Sequence, residues 1–276
     1  TSSRYSAIER WRKPRLSDRC LLCCRQSGSM NLVPVHGSPA LHFEEESALL
    51  LSDLHYGVEA EMLREGVWIP NRATPRTEKI LKLLKQTKSK RLILLGDVKH
   101  QVPHNSKQQR TDIDQFFTAT TRIAKVEVIP GNHDGGLKEQ APSDVIFHES
   151  SGCVIGNVGM IHGHAWPSQE VMNSEILVMG HGHPALSFRD RLDKLHSEPC
   201  WLRVPLLESE RYDKIPEQLI VLPAFGELAG RTMNREPLRG FGPLFRNNLA
   251  NIAKARVETL EGLDFGELEN LIDLRL

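Results

Sequence analysis

Long apolar runs are missing from this 276-residue chain. Its longest, at 48–51 and 92–95, have strand length, far short of the ~18 residues that a bilayer span requires. That excludes a membrane-spanning helix. An excess of either charge is also missing: Lys+Arg total 35 and Asp+Glu total 35, so the formal net charge is zero. This argues against a protein that coats nucleic acid by bulk charge, and leaves room for a local basic patch. Cysteine is scarce, at five residues, an odd number spread over a long chain. A disulfide scaffold is excluded, and free thiols in a reducing, cytoplasmic compartment are expected. Cys20, Cys23 and Cys24 cluster, but a zinc site needs four nitrogen or sulfur ligands, and no second Cys/His pair stands nearby. Repeats and low-complexity tracts are absent as well. What remains, 39% hydrophobic and 25% charged residues, is an ordinary globular profile, of a length that fits one domain with an appendage.

Residues 1–29 differ from the rest. They hold seven Arg or Lys and two acids, a local charge of +5, without an apolar core for a secretory signal. They are expected to be a disordered extension, with the natural start at Met30. Residues 30–246 then form the main domain, and 247–276 a helical tail ending in an amphipathic helix over 267–274.

From Ala48 onward one pattern recurs: a short apolar run, then a polar cluster with Asp, Asn or His. Residues 48–51 lead to Asp53 and His55, and 92–95 to Gly96-Asp97. Residues 126–129 lead to Gly131-Asn132-His133-Asp134, 158–161 to His162-Gly163-His164, and 176–179 to Gly180-His181-Gly182-His183. Short apolar runs bounded by Gly and Pro read as buried strands. Helices are expected between them. One is capped by Thr74 with Pro75 at its first position and buries Ile80, Leu81, Leu83 and Leu84. Another spans 112–124, with Ile113, Phe116, Phe117 and Ile123 inward. The alternation predicts an α/β fold, and ligands of such sheets gather beyond the carboxyl ends of the strands, where every polar cluster falls. Residues 184–188, 200–204 and 219–222 read as further strands.

Each cluster alone is weak; an Asp-x-His or a Gly-Asp is commonly just a turn. Five of them converging at one sheet edge bring together imidazoles and carboxylates that are costly to pack unless something positive binds them. A pair of divalent metals does so. The oxygen and nitrogen donors suit Mn, the favoured choice, or Fe or Zn, and exclude a thiolate site.

The order Asp53-x-His55, Gly96-Asp97, Gly131-Asn132-His133-Asp134, His162-Gly163, Gly180-His181-x-His183 resembles the calcineurin-like metallophosphoesterase superfamily. Asp53 to Ala60, Gly96 to His100, Gly180 to Pro184 and Leu222 to Phe225 resemble the branch of the archaeal SbcD-related phosphoesterases and the bacterial ligase-associated nuclease PdeM. The resemblance implies a two-sheet β-sandwich flanked by helices, and a hydrolase that cleaves phosphodiesters with a metal-activated hydroxide. It implies that Asp53, His55 and His183 hold the first metal, that Asn132, His162 and His181 hold the second, and that Asp97 bridges them. It makes His133 the general acid or phosphate clamp, and suggests that Asp134 orients it through a hydrogen bond. His164 and His100 are candidates for contact with the phosphate. Gly182 departs from the family, which usually has Thr there, so that loop is expected to be looser.

The branch favours DNA as substrate, with Arg231, Arg235, Arg239 and Arg246 as a phosphate-binding flank. A nucleotide, a phosphomonoester or a cyclic nucleotide are the enzymatic alternatives. An inactive scaffold or a metal-dependent DNA-binding subunit are the non-enzymatic ones, and the full set of ligand types weighs against the scaffold. A homodimer is compatible with the sequence. His36, His42, His104, His148 and His196 lie off the motifs and are expected to have no catalytic role.

Overall fold

The computed structural model describes residues 32–100, 106–227, 231–232 and 241–271. The basic segment 1–29, its three cysteines, His104, Arg235 and Arg239 lie outside the described residues. Ala48 and Leu50 point to one side of their strand, Leu49 and Leu51 to the other, and all four are buried. A strand buried on both faces needs a layer on each side, and that requirement organises the molecule.

The first sheet runs β1 (Leu32–Pro34), β2 (Leu41–Phe43), β3 (Ala48–Leu51), β4 (Arg91–Leu94), β5 (Lys125–Val128) and β6 (Ile146–Phe147), in that order. β3 to β6 are parallel, and each crossover between β3, β4 and β5 carries helices. α1 (Val58–Arg64) and α2 (Ala73–Thr87) precede β4, and α3 (Lys107–Thr121) precedes β5. α2 and α3 bury Ile80, Leu83, Leu84, Ile113, Phe116 and Phe117 against Leu49, Leu51, Leu92 and Leu94.

The opposite face, with Ala48, Leu50, Ile93 and Leu95, meets a nine-stranded second sheet through Val158, Met160, Val178, Trp201 and Ile220. That sheet comprises β7 (Cys153–Ile155), β8 (Val158–Ile161), β9 (Ile176–Met179), β10 (Pro184–Arg189), β11 (Leu195–Val204), β12 (Gln218–Val221), β13 (Arg231–Thr232), β14 (Arg256–Thr259) and β15 (Asp264–Glu267). β8, β9 and β12 run parallel. Their alternate residues, Leu177, Met179, Leu219 and Val221, form an outer core with Phe241, Leu244 and Phe245. The last two belong to a short helix, Pro243–Arg246. Two sheets face to face with helices outside each is the expected sandwich. Among the described residues, no helix is long and apolar enough to cross a membrane.

Three local expectations change. The helix capped by Thr74 begins earlier, because Asn71 Oδ1 accepts the Ala73 N–H at 2.7 Å. Pro75 then falls third in the helix, still among the first four positions whose N–H has no helical partner. Ile123, expected inward, is 44% exposed. α3 ends at Thr121, where the Thr120 and Thr121 hydroxyls donate back to the Phe116 and Phe117 carbonyls. In place of the helical tail expected over 247–276, β14 pairs with β11 and β15 with β14. Among the described residues one 3-10 turn, Leu268–Asn270, follows, and 272–276 lie outside them. The edge of β11 takes a strand there, leaving fewer unpaired amides, and Leu268 and Leu271 are buried without a helix.

Candidate metal centre

The five clusters sit beyond β3, β4, β5, β8 and β9, five strands whose carboxyl ends point the same way within their sheets. The chain turns sharply at each. Asp53, His55, Asp97, His181 and His183 take φ of 56°, 49°, 50°, 61° and 46°. They are five of the nine non-glycine residues with positive φ among those described. The left-handed region is costly for an L residue and is retained where the surroundings over-determine it. The loops also interlock: a Cβ at Gly131 would lie 2.1 Å from Asp97 Oδ1. The Gly before Asn132 is therefore required by the carboxylate of the neighbouring strand.

Two donor groups share a carboxylate, that of Asp97. Asp53, His55, Asp97 and His183 offer ligand atoms within 4.8 Å of one another, as do Asp97, His162 and His181. In the first, His183 Nε2 lies 2.9 Å from Asp53 Oδ1 and 3.2 Å from His55 Nε2. In the second, His162 Nε2 lies 3.4 Å from Asp97 Oδ2, 3.3 Å from Asn132 Oδ1 and 3.1 Å from His181 Nδ1. His162 Nδ1 faces the Leu95 carbonyl at 2.7 Å, so its N–H donates there and its Nε2 faces the group. The His181 backbone N–H donates to Asp53 Oδ2 at 3.0 Å, tying one sheet to the other.

The electrostatics fit a cation. Burial raises the Asp53 carboxyl, but His183 and His162 outweigh it and hold it at about 2. Burial also acts on Asp97, and His162, His55 and the His133 amide pull it down further still. Burial pushes His55 and His181 down to about 3, leaving neutral rings with lone pairs to give. His162 is driven the other way, to about 9: burial opposes its charge, but Asp97 and Asp53 hold a proton on it. Asp53 Oδ1 is fully buried, with His183 Nε2 beside it at 2.9 Å. Two buried carboxylates with one protonated ring between them form a donor set that divalent metals satisfy better than a proton does.

His133 stands beside both groups. Its backbone N–H donates to Asp97 Oδ1 at 2.9 Å, and its Nδ1 bonds the His100 carbonyl at 2.5 Å. Its Nε2 is 4.0 Å from Asp97 Oδ2. The orienting bond expected from Asp134 goes elsewhere. Both carboxylate oxygens of Asp134 accept backbone amides, Lys99 N–H at 3.2 Å and Gly131 N–H at 2.9 Å. Asp134 thus pins the two loops together, and burial, with Asp97 nearby, raises its carboxyl to about 6. His100 turns its ring toward protein: Nδ1 lies 3.1 Å from His55 Nδ1, and Nε2 3.0 Å from Glu61 Oε2. His164 lies beside His162 and His181 with its Nδ1 buried and bonded to nothing among the described residues. Arg246 is exposed on its helix, and Arg231 pairs through its backbone with Pro184. His148 and His196 bond Glu127 and Asp190 away from the centre.

Gly182 reverses its expectation. A Cβ there would meet Phe241 Cε1 at 2.3 Å. The space a Thr would take is filled by a buried ring, so the loop is packed and not looser. Neither Phe241 nor Glu61 belongs to a motif; each lies far in sequence from the loop it touches.

This fold and this donor set define the class: a metal-dependent hydrolase. The family model described as Calcineurin-like phosphoesterase matches residues 47–253, and the chain belongs to that family. Among solved structures, the crystal structure of Pseudomonas putida nuclease MPE is similar at 21% identity, covering 81% of this chain and 89% of that one, with a TM-score of 0.53. The E. coli phosphoesterase Yfce is similar at 20% identity, covering 55% and 81%, with a TM-score of 0.34. The first of these likenesses is one of fold. Comparison with curated proteins gives no match.

Proposed function

We propose that the chain is a dinuclear metal phosphodiesterase, with DNA as its substrate class. The observation that carries this is Asp97, whose carboxylate belongs to both donor groups at once. Asp53, His55 and His183 would hold one ion, Asn132, His162 and His181 the other, with Asp97 between them, and manganese suits these donors. Such a pair supplies an activated water and a clamp on the phosphoryl oxygens. The protein's own part is positional. Asp97 holds the His133 amide, and the His100 carbonyl holds the His133 ring, so that Nε2 faces the centre as the group that protonates the leaving oxygen. His164, with its unbonded Nδ1, is placed to meet the phosphate from the second group's side.

The preference for DNA is supported by the motif resemblance to the SbcD-related and PdeM branch, and by the fold shared with a nuclease. The test is a manganese-dependent screen across a nitrophenyl monoester, a nitrophenyl diester, cyclic nucleotides and single-stranded DNA. The diester and DNA are expected to be hydrolysed. Turnover of the monoester or of cyclic nucleotides alone would replace this substrate class. Turnover of none, with any divalent metal, would make the chain a scaffold.

A further inference from the structure

A ring nitrogen can bind a metal only if its own proton sits on the other nitrogen, and the surroundings of an imidazole decide which. His55 belongs to two candidate groups: one with Asp53, Asp97 and His183, and one with His100 and His133. Its Nε2 faces the first, at 3.2 Å from His183 Nε2 and 3.9 Å from Asp97 Oδ2. Its Nδ1 faces His100 Nδ1 at 3.1 Å. Two imidazole nitrogens at that distance need one donor and one acceptor, and the pair itself does not say which is which.

Glu61 does. A carboxylate only accepts, so the His100 Nε2 that lies 3.0 Å from Glu61 Oε2 carries the hydrogen. A neutral imidazole has one N–H, so His100 Nδ1 is the acceptor. His55 Nδ1 must then donate, and its lone pair is left on Nε2. We propose that Glu61 and His100 form a hydrogen-bonded relay that fixes His55 in the tautomer whose Nε2 is free to bind metal. Glu61 is a positioning residue: it acts through His100 and His55 and meets neither metal nor substrate.

The helix carrying Glu61 is built to hold it there. α1 starts immediately after the Asp53–His55 loop. Its buried Glu59 accepts from Arg76 Nη2 at 3.3 Å and from the Arg72 amide at 3.2 Å. Residues two apart lie about 200° round a helix, so clamping Glu59 to α2 turns Glu61 the other way, toward His100. This role rests on the two-metal reading for its metal, and on the three side chains alone for its direction.

The test is a zinc titration of the metal-free protein against a competing chelator, with folding checked by circular dichroism. Loss of such an outer hydrogen bond typically weakens metal binding by about 10–100-fold. Glu61→Ala should weaken one of two zinc-binding steps by that factor and spare the other. Glu61→Gln, whose Oε1 still accepts the His100 hydrogen, should recover most of it. Glu65→Ala, which removes a charge from the end of the same helix, should change neither step. In metal-free protein with 15N-labelled histidine, His55 should carry its hydrogen on Nδ1, and Glu61→Ala should lose that preference. Unchanged affinity in Glu61→Ala, equal weakening of both steps, or an Nε2–H His55 in the wild type would each overturn the relay. A wild type that binds a single zinc, still weakened by Glu61→Ala, would overturn the two-metal reading and keep the relay. One that binds no zinc would overturn both.

Discussion

Asp97 and His133 touch through one backbone hydrogen bond, yet their loss should look different. Asp97→Asn is expected to weaken both metal-binding steps, and His183→Ala mainly one. Metal content after dialysis measures this, and full occupancy in Asp97→Asn would refute the bridge. His133→Ala is expected to keep its metals and its fold and to lose about 10²–10⁴-fold in kcat. The loss should be larger on DNA, whose sugar oxygen leaves poorly without a proton, than on a nitrophenyl diester. Equal losses would make His133 a phosphate-positioning group. At this scale the sequence was most legible where donors share a short motif: Asp53 with His55, and His181 with His183. It misled at Asp134, because adjacency suggested a partner for His133. The partner in fact is a main-chain oxygen 33 residues away, and carbonyls leave no mark on a residue pattern.

Strands buried on both faces announce themselves as unbroken apolar runs, so β8 and β9 were readable to the residue. The tail was not. Leu268 and Leu271 are spaced three apart in sequence, as on a helix, but the free edge of β11 had already claimed the preceding residues as strands. Phe241 is the long-range contact with most at stake, since its ring fills the space beside Gly182, between two candidate ligands. Phe241→Ala is expected to cost about 3–5 kcal/mol in denaturant unfolding, the usual range for a buried Phe. Gly182→Thr should destabilise the protein by collision with the same ring. A Gly182→Thr variant as stable as wild type would show that the ring yields. The edge of the first sheet offers a pH test. Burial raises the Glu127 carboxyl, but His148, Arg91 and Lys125 hold it at about 2, below its ordinary 4.5. Its contribution should be complete above pH 4.5 and fade as pH falls toward 2. Hydrogen bonds with Cys153 and Glu127 raise His148 from 6.5 to about 9, so its contribution is complete below 6.5 and fades as pH climbs through 9. The Tm gap between wild type and Glu127→Gln should therefore be widest between these limits. A gap that does not vary with pH would show the cluster to be electrostatically silent.

For the molecule as a whole, each proposed metal would take donors from both sheets: Asp53, His55, Asp97 and Asn132 from the first, His162, His181 and His183 from the second. A ligand present at 100 times its Kd adds about 2.7 kcal/mol to the native state, so stripping manganese with a chelator should lower Tm by several degrees. Asp97→Asn should have lost that sensitivity, and a wild type indifferent to chelation would contradict a metal that joins the sheets. The division also orders events in time. A growing chain releases its N-terminal half first, and that half carries a cluster of donors unable to complete either site. The histidines that finish both sites arrive on strands made later; His181 meets Asp53 across 128 positions of sequence. If the centre holds metal as proposed, filling of both sites would wait until the two sheets have closed on each other, and full occupancy would gauge finished assembly.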